Sequence, residues 1–194
     1  MREITPLVDV LTLSSHKFGG PKGVGVMVLK TGKHLEPLIL GGGQERDRRS
    51  GTHNVAGIIA TAKALEVTDS TRVSECERVS VMRDRLVDEI RATLDGVLET
   101  VPRQHRVPGA AHLCFSGVEN EALLFLLDQV DVCASAASAC ASGAMEPSHV
   151  LEAMGIERSW SNGALRLSLG HTTTNADIDK AVSAIVSAVN QLRR

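Results

Sequence analysis

SSHKFGGPKGVG, residues 14–25, sets a histidine beside a lysine and follows them with four glycines and a proline. Most lysines are solvated, and glycine with proline marks a turn, so Lys17 reads at first as an exposed turn residue. Its surroundings add a second reading. Upstream, PLVDVLTLSS (6–15) alternates and clusters Val, Leu and Thr as a half-buried strand does, which predicts a strand over 6–13 and puts His16 and Lys17 at its end. Downstream, VGVMVL predicts another short strand over 24–29, with the glycine segment as a tight connection. Open α/β sheets bind ligands at strand ends, so a functional lysine stands beside the turn residue as an alternative. Phosphate-loop patterns do not fit: GGPKGVG lacks the GxxxxGK[ST] spacing, and GVGVMV breaks GxGxxG at its last position.

Length and charge set outer limits. A chain of 194 residues allows one or two domains with real cores, and a net charge of −2 argues against a nucleic-acid or anionic-membrane surface. One Trp, three Phe and no Tyr leave Leu, Val, Ile and Ala to build the core and give little for base stacking. No apolar run reaches the length of a membrane span, and MREITPLVD has neither the basic start nor the apolar core of a signal peptide. A cytoplasmic location is therefore expected. Cys76, Cys114, Cys133 and Cys140 show no CxxC pair and no zinc-ligand spacing, so they are expected as reduced thiols and no metal site is expected.

Further along, strand and helix patterns alternate without repeats, which favours α/β or α+β. After LGGGQERDRRSGTHN, residues 54–67 carry small and apolar residues at helical spacing, with Asn54 as N-cap. Residues 71–95 align Val79, Met82, Leu86, Ile90 and Leu94 on one stripe and predict a long amphipathic helix. Strands are expected near 97–101, 111–116, 131–135 and 164–169, and helices over 119–129, 147–154 and 175–192. The organisation expected is a piece of one α/β domain over 1–70, followed by a compact α/β domain over 71–194.

Four motifs then point one way. SSHKFGGPKGVG, GGGQERDRRSGT, SACASGAMEPSHVL and LRLSLG resemble, in that order, the C-terminal half of the cysteine desulfurases of the NifS and IscS type. Those are pyridoxal-phosphate enzymes of fold type I, in the class V aminotransferase group, and the likeness runs over essentially the whole chain. It implies a partial fold-type I transferase: a remnant of the large cofactor-binding domain plus a complete small domain.

The resemblance also implies roles. Lys17 matches the lysine that carries pyridoxal phosphate covalently and then serves as the base at the substrate Cα. His16 and Ser14 match neighbours that hydrogen-bond the cofactor phosphate. Thr52, in RSGT, matches a threonine that reaches across a homodimer interface to the partner's phosphate; by itself it reads as a helix-entry residue. No single one of Arg46, Arg48 and Arg49 takes a catalytic assignment. Cys140 matches the nucleophilic cysteine that takes sulfur from L-cysteine as a persulfide, releasing alanine, and passes it to an acceptor protein for iron–sulfur or thio-cofactor assembly. The open SACASG run suits that role better than burial. Arg166 matches the arginine that binds the substrate α-carboxylate through its planar donor fork. Cys76, Cys114 and Cys133, in an expected helix and strands, take structural roles.

Two departures qualify the likeness. Where the family commonly has SSGSAC this chain has SAASAC, so Ala136 and Ala137 replace a serine and a glycine and remove the cheap positive φ a glycine allows. The distance from Cys140 to EPSHVL resembles the long-loop group. The second departure is larger: the family's ring-nitrogen Asp, its neighbouring Gln, its stacking His and its main phosphate turn all lie upstream of the lysine. Before Lys17 the carboxylates are Glu3 and Asp9, and Asp9 is too close in sequence to match that Asp. The chain is thus expected to be the C-terminal half of a desulfurase, inactive alone. A selenocysteine-lyase-like class V enzyme and a non-catalytic dimerising or partner-binding module are the alternatives; Cys140 on a long loop favours the desulfurase.

Overall fold

The structure is a computed structural model that describes residues 4–136 and 148–194. The expectations for Cys140 and for Ala137 fall outside those residues. The chain divides into two compact units, Met1–Arg72 and Val73–Arg194.

In the first unit a 3-10 turn, Thr5–Leu7, precedes β1 (Val10–Ser14), so the strand starts later than the expected 6–13. Pro6 explains the difference, because its fixed φ and missing N–H suit the first turn of a helix better than a strand ladder. β1 pairs antiparallel with β2 (Gly25–Leu29), Val10 opposite Leu29 and Ser14 opposite Gly25. A short turn, α1 (Gln44–Asp47), lies in the glycine-rich loop, and Glu45, Arg46 and Asp47 have φ of 51°, 58° and 61°. Three successive non-glycine residues in the left-handed region form a strained turn. It is tied by Ser50 Oγ donating to the Gly42 carbonyl at 2.6 Å and by Gly51 N–H donating to Gln44 Oε1 at 3.1 Å. Arg49 donates to the Ser50 carbonyl, and none of Arg46, Arg48 and Arg49 makes an ion pair among the described residues.

A single helix, α2 (Val55–Thr93), replaces the two expected over 54–67 and 71–95. No glycine or proline stands between Val67 and Thr71, and the Ser70 and Thr71 hydroxyls both donate to the Val67 carbonyl, at 2.8 and 3.1 Å. Residues that often end helices are here bonded back into one. Asn54 caps the start as expected: its Oδ1 accepts from Gly57 N–H at 3.1 Å.

The second unit is built on an antiparallel sheet of order β3 (Val97–Glu99), β4 (Ala110–Phe115), β5 (Ala164–Ser168). Between β4 and β5 come α3 (Asn120–Asp128), α4 (His149–Ala153) and a four-residue helix not expected from sequence, α5 (Arg158–Ser161); α6 (Asn175–Leu192) ends the chain. The expected strand over 131–135 is a turn and one bridge. Asp131 takes φ 55°, Val132 N–H donates to the Leu127 carbonyl at 3.0 Å, and only Ser135 reaches the sheet, opposite Arg166.

Alternation sorts the two sheet faces. Ala111, Leu113 and Phe115 of β4 with Leu165 and Leu167 of β5 are buried against Met82, Leu86, Ile90 and Leu94 of α2, Leu123 and Leu127 of α3, and Ile178, Ile185 and Val189 of α6. The alternate residues face the other way. There Cys114 and Ala164 pack with Leu151, Ile156 and Trp160, which covers one end of that face. Its remaining end is polar. An ion-pair cluster braces the loop entering β4: Arg106 lies 2.6 Å from Glu99, with side chains 6% and 12% exposed, and Arg83 donates to the Pro108 carbonyl at 2.7 Å.

Candidate functional site

The candidate residues fall in both units, and each group is built locally. Lys17 sits in a 3-10 turn, Ser15–Phe18, that leaves the end of β1. The turn is closed by Gly19 at φ 84°, a conformation glycine adopts without strain, and by Gly20 N–H donating to the Ser15 carbonyl at 3.0 Å. Gly20 has no room for a side chain, since a Cβ there would lie 1.9 Å from Ser15 Oγ. Buried Ser15 is held by Thr61 Oγ1, which donates to its Oγ at 2.9 Å, and Thr68 Oγ1 donates to the Phe18 carbonyl at 3.0 Å. Two α2 hydroxyls thus fix the turn from beneath. Ser14, His16 and Lys17 are exposed and share it, and their side chains have no hydrogen-bond or ion-pair partner among the described residues. Thr52, also exposed and unengaged, lies on a different segment, at the entry to α2.

In the second unit, Arg166 is the middle residue of β5 and is exposed, unlike its buried neighbours Leu165 and Leu167. Its guanidinium has no hydrogen-bond or ion-pair partner among the described residues. His112 of β4 is directly opposite it, and His112 Nδ1 lies 2.9 Å from Thr100 Oγ1. Burial, and secondarily the Arg166 charge, hold the His112 pKa below the ordinary histidine value. Sequence reasoning did not single out His112 or Thr100. The available signal was the polar position inside AAHLCF, which alternation places on the face opposite Ala111 and Leu113.

Among the thiols, Cys114 is buried and its pKa is pushed up to about 11 by desolvation, as a structural cysteine's should be. Cys76 is half-buried, and Cys133 is exposed, which does not match a strand core. No group of three or more His, Cys, Asp or Glu among the described residues is placed to hold a metal. No described helix is long and apolar enough to cross a membrane.

The chain has the α/β architecture of the pyridoxal-phosphate-dependent fold-type I transferases, seen in its likeness to solved structures. A NifS-like protein superposes with a TM-score of 0.84 at 32% identity, over 95% of this chain and 47% of that one. The NifS-like protein of Rickettsia africae gives 0.82 at 26%, over 96% and 49%. The sequence profile of the class-V aminotransferases matches residues 6–181, and the chain belongs to that family. Among curated relatives it is 43% identical to an IscS-like cysteine desulfurase of Mycobacterium tuberculosis, over 96% of this chain and 48% of that protein. It is 41% identical to a cysteine desulfurase of Cereibacter sphaeroides, over 96% and 47%. The chain spans about half the length of the curated relatives it matches.

The Lys17 turn can be tested against the family's cofactor. Pyridoxal phosphate needs an amine for its aldehyde and donors for its phosphate. An exposed lysine beside an unengaged serine and histidine, on a turn fixed from beneath, fits that anchoring end. For the ring nitrogen the turn offers no acid: Asp9, the one described carboxylate before Lys17, lies 3.2 Å from Lys33 Nζ.

Proposed function

We propose that this chain carries the lysine, the sulfur-accepting cysteine and the carboxylate-binding arginine of a pyridoxal-phosphate-dependent cysteine desulfurase that converts L-cysteine to L-alanine. The observation that carries the reading is the Ser14–Lys17 turn, whose amine and hydroxyl are exposed and unengaged while its backbone is pinned through Ser15 and Phe18. Pinning limits the entropy lost when a ligand is held.

When bound, the cofactor would supply an electron sink for the substrate's Cα. The chain's residues do the rest. Lys17 Nζ would hold the cofactor and, once freed, take the proton from Cα. Ser14 and His16 would donate to the phosphate, and Thr52 would do so for the partner protomer in a homodimer. Arg166 would take the α-carboxylate on its donor fork and so fix the orientation of Cα and Cβ. Cys140, as thiolate, would attack the substrate sulfur: the S–S bond forms as the Cβ–S bond breaks, and the bonding pair stays with the three-carbon fragment that leaves as alanine. The persulfide would pass to an acceptor protein in the cytoplasm, for iron–sulfur or thio-cofactor assembly.

The test supplies the chain with the remaining half of a relative such as the Mycobacterium tuberculosis protein. The joined protein is expected to bind pyridoxal phosphate with its near-ultraviolet to visible absorption, to lose that absorption in Lys17→Ala, and to keep it without turnover in Cys140→Ala. A borohydride-fixed cofactor adduct that persists on the Lys17→Ala protein, or turnover in Cys140→Ala, overturns the reading.

A further inference from the structure

The polar end of the second unit's sheet is a row. Continuing the β3–β4 register by one residue from Glu99 opposite Leu113 sets Thr100 opposite His112, and Thr100 N–H donates to the His112 carbonyl at 3.2 Å. His112 is opposite Arg166, and Arg166 is opposite Ser135. Arg166 spends both backbone groups on Ser135, donating to its carbonyl at 2.6 Å and accepting from its N–H at 3.1 Å. On its other side Arg166 therefore makes no ladder bond with His112. The two form a non-hydrogen-bonded antiparallel pair, the kind in which side chains approach most closely, with Cβ atoms about 4.5–5.5 Å apart.

The chemistry of that pair is unusual for a strand. A guanidinium without a carboxylate partner among the described residues faces an imidazole whose pKa is lowered by burial and secondarily by the Arg166 charge. The Thr100 hydroxyl lies 2.9 Å from Nδ1 and 3.4 Å from the His112 carbonyl, which already accepts the Thr100 N–H. When the hydroxyl gives its proton to the nearer of the two, Nδ1 is the acceptor and the ring proton sits on Nε2. That arrangement sets a neutral N–H donor next to a cation unpaired among the described residues.

We propose that His112 Nε2–H and the Arg166 guanidinium form a two-residue seat for an amino-acid carboxylate, with Thr100 as the positioning residue that fixes the imidazole tautomer. The inference rests on the reading of Arg166 as the α-carboxylate ligand and adds a second, uncharged donor to it. A neutral donor suits this position because a second cation directly across the strand pair would repel Arg166 whenever the seat is empty.

The experiment uses the intact 194-residue chain, labelled with 15N in histidine and arginine, and propionate as the carboxylate probe. The free protein is expected to show His112 protonated on Nε2, and propionate to move the His112 Nε2 and Arg166 Nε signals together with one Kd. His112→Phe should weaken propionate roughly tenfold, the range of one hydrogen bond to a charged group. His112→Asn, which keeps an N–H donor, should recover most of that loss. Thr100→Val, remote from the ligand, should mix the His112 tautomers and weaken binding by a smaller factor. Should His112→Phe fail to fold, the Asn and Val variants carry the same test. Unchanged affinity in folded His112→Phe, or in Thr100→Val despite a shifted tautomer, overturns the proposal. If Arg166→Gln abolishes binding while the His112 and Thr100 variants do not, the Arg166 reading stands and this one falls. Binding that survives Arg166→Gln, or no binding by the wild-type chain, sinks both.

Discussion

Burial sorts the thiols by reactivity. Cys114 is fully buried with a pKa pushed up to about 11, so at pH 8 only about one part in a thousand is thiolate, whereas Cys133 is exposed. Iodoacetamide at that pH should label Cys133 well before Cys114, which reacts only on unfolding, as read by peptide mass spectrometry. Equal labelling rates in the folded protein would contradict this burial. His112 gives a second expectation, because its pKa is held below the ordinary 6.5 by burial and then by Arg166. Between the folded and unfolded values the unfolded chain binds more protons, so stability is lost as pH falls through about 6.5 and stops falling below the folded pKa. In urea titrations across that window, wild type should weaken relative to His112→Asn, which does not titrate. Parallel curves for the two proteins would mean that the imidazole titrates alike in both states.

Among the elements, α6 shows the plainest link from sequence to stability. Thr174 Oγ1 accepts from Asp177 N–H at 3.2 Å while Asp177 Oδ2 accepts from Thr174 N–H at 2.8 Å, a reciprocal cap. Thr174→Ala should lower unfolding stability by on the order of 1 kcal/mol. Those bonds from Thr174 hold the Asp177 carboxyl below its usual range, so the cap contributes above the unfolded carboxylate pKa and fades as pH drops through the folded one. The gap between wild type and Thr174→Ala should narrow in acid, and a gap that widens would reverse the assignment. The observed span Asn175–Leu192 matches the expected 175–192 because cap and apolar stripe agree. Where signals conflicted the reading failed. Residues 68–70 look like a helix end until the Ser70 and Thr71 hydroxyls are seen bonded back into α2, and DVCAS has strand composition but begins with a left-handed Asp131. Of the candidate site, Lys17 and Arg166 were legible because motifs carried them. His112 and Thr100 were not, because strand pairing makes them neighbours of Arg166 and no single strand's pattern records its register.

At the scale of the whole chain, apolar burial is lopsided. Among the described residues of the first unit the buried side chains are Ser15, Ser50 and Thr61, all polar, while every buried hydrophobic residue belongs to the second. Hydrogen exchange should therefore be slowest in β4, β5 and α6 and much faster in β1 and β2. Equal protection of β1 and β5 would show a core in the first unit that its burial does not provide. With Asp9 committed to Lys33, the chain alone, given pyridoxal phosphate and L-cysteine under reducing conditions, should release no alanine or sulfide. Turnover dependent on Cys140 would show that this chain's own residues suffice. The antiparallel pairing of β4 with β5 has one more consequence. Leu165 and Leu167 point into the core by the same alternation that turns Arg166 outward, so a slip of one residue would exchange them and hide the guanidinium among leucines. The arginine thus acts as a proofreading mark: only molecules with the right alignment display it, and a single-residue insertion within β5 cannot retune the seat without dismantling the core behind it.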